Sequence, residues 1–253
     1  MEANGTFNYE TVATTTQVDI RTALAKMLIS SHIPTDELVK NLGLFLPWQE
    51  ISRTLFLTEL YQKILCVPGH VMELGVRWGR NLALFSNLRA TFEPFNHNRK
   101  IIGFDTFTGL PLKTEKDGDS PYAQKGSLAV SENHKEFLVE ILRLHEKCLP
   151  YDHMQKFEIL QGDVIETFPD YLKKYPETIV ALAYFDLDLY EPTKKSLEVI
   201  LGHLTKGSIL AFDEVNHRTV PGETIAIKEV FGLTGIRLQR SLHNPLCGYF
   251  IIE

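Results

Sequence analysis

Five apolar runs, 71–76, 100–105, 157–161, 179–186 and 208–213, alternate with stretches near 80–92, 131–148, 163–174 and 192–204 whose apolar residues recur at helical spacing. Continuous apolar runs fit strands buried on both faces of a parallel sheet. The intervening helices supply the right-handed crossovers that parallel strands need. The pattern predicts an α/β fold of three layers, a mostly parallel sheet between two layers of helices. Its end differs: a helix is expected over 223–231, then strands at 236–241 and 249–252. Residues 243–248 between those two strands are too few for a parallel crossover, so the last strand is expected to run antiparallel.

Two neighbouring runs end abruptly in carboxylates, Asp186 and Asp188 after the fourth, Asp213 and Glu214 after the fifth. Acids at such positions lie at the carboxyl edge of the sheet, where open α/β folds bind their ligands. Gathered at one edge, these acids would repel one another, and a divalent cation with a preference for oxygen, Mg²⁺ or Ca²⁺, is the simplest remedy.

Before residue 70 the chain reads as a helical cap, residues 1–68, ahead of an α/β domain over 69–253. Residues 1–18 look frayed, 19–33 and 35–42 look like short helices broken at Pro34, and an amphipathic helix follows Pro47. Two long connections, 107–131 and 216–222, leave the carboxyl side of the sheet and are expected to close over a ligand.

Composition narrows the function. Hydrophobic residues at 44% and charged residues at 23% are ordinary for a globular chain. A formal charge of -6 gives no footprint for nucleic acid or an anionic membrane. The three cysteines, Cys66, Cys148 and Cys247, are far apart and form neither a disulfide framework nor a metal-binding spacing, which points to the reducing cytoplasm. The first twenty residues are too polar for a signal peptide and no run reaches membrane-spanning length.

A small-molecule cradle is expected where the first strand passes into a helix. Gly75 would let the backbone approach a ligand, and Gly79 would relieve the turn into the helix that begins near Asn81. The spacing is not that of the dinucleotide fingerprint, and a purely structural glycine turn would look the same. Asp105, ending the second strand, is placed to accept from ribose hydroxyls. Asp163, followed by Val164, could accept from the amine of a base, cap the following helix, or do both. Arg77 reads either as a partner for a ligand carboxylate or for Glu73, or as a solvated arginine.

The elements Glu73-x-Gly75 with Gly79, Asp105-Thr106-Phe107-x-Gly109-Leu110-Pro111, Asp186-x-Asp188-Leu189-Tyr190-Glu191-x-Thr193 and Asp213-Glu214 together resemble the macrocin O-methyltransferase family. The resemblance runs from about residue 70 to the C-terminus. It implies the class I, Rossmann-like methyltransferase fold, with seven strands of which the last is antiparallel. It also implies dependence on S-adenosylmethionine and a divalent metal. Asp186, Asp213 and Glu214 become metal ligands and Asp188 the general base. Glu73, Gly75, Asp105, Thr106, Phe107 and Asp163 hold the methyl donor; beside what the resemblance implies, Arg77, Gly79, Asn81, Val164 and Asp186 are expected to complete that cradle. The family usually carries two aspartates where this chain has Asp213-Glu214, so Glu214 reaches one methylene further.

The reaction so implied is methyl transfer to a hydroxyl, that of a deoxysugar linked to a nucleotide or already attached to a natural product. A phenol-like acceptor, an oxidoreductase, or a non-catalytic nucleotide-binding protein on the same fold are the alternatives. Tyr190 and His217 are expected to touch substrate, although for His217 a plain surface role fits as well. No nucleic-acid or membrane partner is expected, and the apolar N-terminal helices suit a homo-oligomer.

Overall fold

The structure, a computed structural model, describes residues 13–121 and 123–253. Its strands are β1 (His70–Leu74), β2 (Ile101–Asp105), β3 (Phe157–Gln161), β4 (Val180–Phe185), β5 (Leu204–Phe212), β6 (Gln239–Arg240) and β7 (Gly248–Ile251). Helices α1 (Thr15–Ile29), α2 (Thr35–Leu38) and α3 (Trp48–Lys63) precede them. Between strands lie α4 (Arg80–Phe92), α5 (His134–Lys147), α6 (Val164–Lys174), α7 (Tyr190–Ile200) and α8 (Gly222–Phe231).

One sheet runs in the order β3-β2-β1-β4-β5-β7-β6. The first five strands in that order pair in parallel, and β7 lies antiparallel to both β5 and β6. This is the class I, Rossmann-like methyltransferase fold, including the antiparallel end expected from the short 243–248 connection. Strand order reverses between β1 and β4, the switch point where such sheets open a crevice at their carboxyl ends.

Alternate residues divide the core. Val71, Leu182 and Tyr184 face α3, α4 and α5 through Phe56, Leu57, Leu60, Leu82, Phe85 and Leu142. Met72, Leu74, Ala183 and Phe185 face α6, α7 and α8 through Phe168, Leu197 and Ile227. Each such large side chain, fully buried, contributes about 1.5–3 kcal/mol relative to exposure. Helix α3 therefore belongs to the same core as β1 and β4.

The first helix begins at Thr15, where the polar composition suggested fraying up to residue 18. Thr14 and Gln17 form a capping box: the Thr14 hydroxyl accepts from the Gln17 amide at 3.3 Å and the Gln17 side chain accepts from the Thr14 amide at 2.9 Å. The remainder of that segment, residues 1–12, lies outside the described residues. Helix α1 buries none of its residues and leaves Ile20, Met27 and Ile29 exposed. Strand β6 is shorter than the 236–241 expected, two residues at the sheet edge. No helix among the described residues is long and apolar enough to cross a membrane.

The 107–131 connection has structure of its own. Leu110 donates to Ser127 at 2.8 Å and Gly126 donates to Leu110 at 2.9 Å, closing a small loop. A 3₁₀ turn, Glu115–Asp117, buries Asp117, whose carboxylate accepts from the Thr114 amide and from the Tyr190 amide at the start of α7.

Candidate active site at the carboxyl edge

The ends of β1 and β4 meet closely enough to dictate the residue at 75. The Asp186 amide donates to Leu74 at 2.8 Å, and the Gly75 amide donates to Phe104 at 2.9 Å. Gly75 has φ +94, and a Cβ there would strike the Asp186 carbonyl. Asp105 shapes the turn that follows: one carboxylate oxygen accepts from the Val76 and Arg77 amides at 2.7 and 2.8 Å, the other from Phe107 at 2.5 Å. A carboxylate offers about four acceptor positions, so roughly one is left for a ligand. Asp163 caps α6 through the Ile165 amide at 3.0 Å, and it also faces the crevice.

The crevice encloses about 320 Å³. Gly75, Arg77, Asn81, Asp105, Thr106, Asp163 and Val164 line one part of it; Asp186, Asp188, Asp213 and Glu214 line the rest. Thus the glycine turn and both acidic strand ends open into one cavity. Glu73 lies beneath its wall, 1% exposed, with one carboxylate oxygen unpartnered. Gly79 caps α4 in a left-handed conformation and abuts the Leu138 side chain. Phe107 packs in the core.

Two residues expected at the substrate lie outside that crevice. The Tyr190 hydroxyl donates to Glu229 at 2.7 Å and is flanked by the ammonium groups of Lys116 and Lys194, a surface network outside the crevice. His217 lines a separate shallow depression with Arg218 and Lys228.

Ligand atoms of Asp186, Asp213 and Glu214 lie within 4.8 Å of one another. All are oxygens, and one Glu214 oxygen is buried without a partner. Hard, convergent and partly unsatisfied, this set fits Mg²⁺ or Ca²⁺, and Glu214 reaches it despite its extra methylene.

The charges are strongly perturbed. Burial, then the neighbouring Asp213, pushes Asp186 and Glu214 well above the ordinary carboxylate range. The same two causes raise Asp188 to about 7. Burial, then Asp186, likewise raises Glu73. Asp213 goes the other way. Burial alone would raise it, but the Arg53 guanidinium overrides that and holds it below its usual value. Asp188 also carries backbone strain, with φ 61 just past the end of β4.

Three residues complete the site without any motif to announce them. Arg53, from α3, binds Asp213 and stands 3.9 Å from Asp186. The Tyr184 hydroxyl, buried beneath, donates to Asp213. Glu223, fully buried on α8, accepts from the Leu187 amide at 3.1 Å and the Glu214 amide at 3.2 Å, and so clamps the two acid-bearing strand ends together. Arg53 and Glu223 had one sequence signal. Each is a charge on the apolar face of its helix, Arg53 in line with Phe56, Leu57 and Leu60, Glu223 with Ala226 and Ile227. A charge so placed needs a buried partner.

Comparison with known proteins bears on most of the chain. Residues 56–238 match the family model described as macrocin-O-methyltransferase. The crystal structure of CalS11, a calicheamicin methyltransferase, superposes with a TM-score of 0.93 at 44% identity, covering 95% of this chain and 94% of that one. An apo structure of CalS11, described as a TDP-rhamnose 3'-O-methyltransferase of calicheamicin biosynthesis, gives 0.84 at 41% identity over 95% and 96%. The O-methyltransferase NovP, at 19% identity, TM-score 0.61 and 80% of each chain, shares the fold. A search of curated protein sequences finds no match.

Proposed function

Because the chain belongs to the macrocin-O-methyltransferase family, whose members use S-adenosylmethionine, we propose that it methylates a hydroxyl of a nucleotide-linked deoxysugar with help from a divalent metal. The observation that carries this reading is the convergence of Asp186, Asp213 and Glu214 beside Asp188, in the cavity that the Gly75 turn also enters. The acceptor class follows the name of a relative 41% identical, the TDP-rhamnose 3'-O-methyltransferase CalS11.

Asp186, Asp213 and Glu214 would hold the metal. A bound divalent cation lowers the pKa of an acceptor hydroxyl and orients its oxygen. Asp188 takes the hydroxyl proton. Its pKa near 7 suits a general base working near neutral pH, and its exposure of only 5% keeps bulk water from competing. Asp105 and Asp163 hold the donor through its ribose hydroxyls and adenine amine, and Gly75 and Arg77 admit its methionine portion. Held in line, oxygen, methyl carbon and sulfur react with an orientational advantage of roughly 7–11 kcal/mol. Gly109, Leu110, Pro111 and Leu128 of the 107–131 segment line the cavity, and that segment, closed over the bound acceptor, would exclude water.

The apolar residues left exposed on α1 and α3, among them Met27, Ile29 and Leu55, support assembly into a homo-oligomer. The reading of function is tested by incubating the chain with methyl-labelled S-adenosylmethionine, Mg²⁺ and TDP-rhamnose. Labelled sugar that disappears with EDTA and returns with Mg²⁺ is expected. Tight binding of NAD⁺ with none of S-adenosylmethionine would overturn the assignment.

A further inference from the structure

We propose that the depression between residues 216–218 and the outer face of α8 binds the diphosphate of the nucleotide-linked acceptor, with Arg218 and Lys228 as its counter-cations. This rests on the sugar-methylating function proposed above and deepens it, because an acceptor already attached to a natural product carries no such group.

Position is the first argument. Asn216, His217 and Arg218 on one side and Thr224 and Lys228 on the other line the depression. Its inner wall follows directly on Asp213 and Glu214. The Asn216 amide donates to the Thr224 hydroxyl at 2.8 Å, and two residues earlier the Glu214 amide donates to Glu223, next to Thr224. The same stretch of α8 touches the base: a Cβ at Gly222 would lie 2.9 Å from the Asp188 carbonyl. The depression and the reactive edge are therefore two sides of one short, doubly tied segment.

Charge is the second. Arg218 and Lys228 are exposed, and neither side chain makes a hydrogen bond or ion pair with any described residue. Lys116 and Lys194, the other lysines near α8, are both engaged by Glu229. Two uncompensated cations thus flank one concavity in a chain of formal charge -6. An acceptor with two phosphates must bring its sugar to the edge that carries Asp186, Asp188, Asp213 and Glu214, and Asp213, held ionised by Arg53, repels the phosphates. A cationic seat beside those acids holds the phosphates away from them while the sugar ring reaches inward. Arginine and lysine are the side chains suited to phosphate oxygens. His217, its Nδ1 3.3 Å from the Thr219 hydroxyl, stands at the same rim.

The test uses the full chain and the Arg218→Ala/Lys228→Ala double variant, both of whose changes are on the surface. Thymidine diphosphate and inorganic pyrophosphate are each titrated calorimetrically in EDTA, so that no metal can bind the phosphates. Kinetics with TDP-rhamnose and Mg²⁺ follow. The wild-type chain is expected to bind thymidine diphosphate, and the double variant at least about tenfold more weakly, with a shallower salt dependence. The KM for TDP-rhamnose should rise by a similar factor while kcat and the KM for S-adenosylmethionine stay within about twofold. Pyrophosphate binding that falls in parallel assigns the cations to the diphosphate; retention of pyrophosphate binding when thymidine diphosphate binding is lost overturns that assignment. Equal affinities and equal KM values in the two chains overturn the proposal while leaving sugar methylation standing. If the wild-type chain methylates no sugar, the function fails, and the titration still decides the site.

Discussion

Arg53 and Asp213 form a two-point ion pair across 160 positions of sequence, with Nη1 2.8 Å from one carboxylate oxygen and Nη2 2.9 Å from the other. The pair is shielded, 13% and 11% of the two side chains remaining exposed. It fastens α3 to the end of β5 and supplies the positive charge that keeps Asp213 ionised among its acidic neighbours.

Arg53→Met is expected to cost about 3–5 kcal/mol, because it leaves a buried carboxylate without its cation. Urea denaturation of the metal-free chain measures this. Adding Asp213→Asn to the same chain should recover most of the loss. A cost under about 1 kcal/mol would show that the pair matters little to folding.

Asp188→Asn should change how stability depends on pH. In the wild-type chain burial and Asp213 raise the Asp188 pKa to about 7. The folded state then holds a proton that the unfolded chain releases near pH ~4. That contribution is complete below pH ~4 and is lost as pH rises toward 7. Asparagine cannot ionise and tolerates the left-handed backbone at this position. Its stability relative to wild type should therefore climb between pH 4 and 8, by on the order of 2–4 kcal/mol in EDTA, while turnover is lost. A pH-independent difference would mean that the Asp188 charge is unperturbed.

Glu223→Ala removes the acceptor shared by the Leu187 and Glu214 amides. Because it loosens two acid-bearing segments at once, affinity for Mg²⁺ or Mn²⁺ should fall roughly 10–100-fold. S-adenosylmethionine affinity should hold, since the Gly75 turn is untouched. Unchanged metal binding by calorimetry would remove the clamp from the account.

Asp186→Ala should abolish turnover and leave the affinity for S-adenosylmethionine within a few-fold of wild type. Its carboxylate is one of the three convergent oxygen donors. Normal methylation by this variant would end the metal-site reading.

Much of this was legible in the sequence because it depends on local pattern. Runs buried on both faces announced five parallel strands, and the brevity of 243–248 announced the antiparallel one. Acids at the ends of β4 and β5 announced the cluster. The features that local pattern did not place have equally physical causes. Arg53 and Glu223 act through partners far along the chain, so only the anomaly of a charge on an apolar face marks them. Tyr190 belongs to the most specific motif, yet its ring turns outward because α7 starts at that residue and Glu229, Lys116 and Lys194 compete for its hydroxyl. His217 follows the acids in sequence but lines the adjoining depression rather than the crevice.

The buried carboxylate of Asp117 gives the 107–131 segment an unusual attachment, because it grips the amide of Tyr190, two residues beyond Asp188. The segment that lines the crevice and the strand end that carries Asp188 are thereby mechanically joined. Exchanging segment 107–131 for a relative's, to redirect the enzyme toward another acceptor, must therefore transplant the start of α7 with it. A graft that breaks this joint will disturb turnover before it alters selectivity.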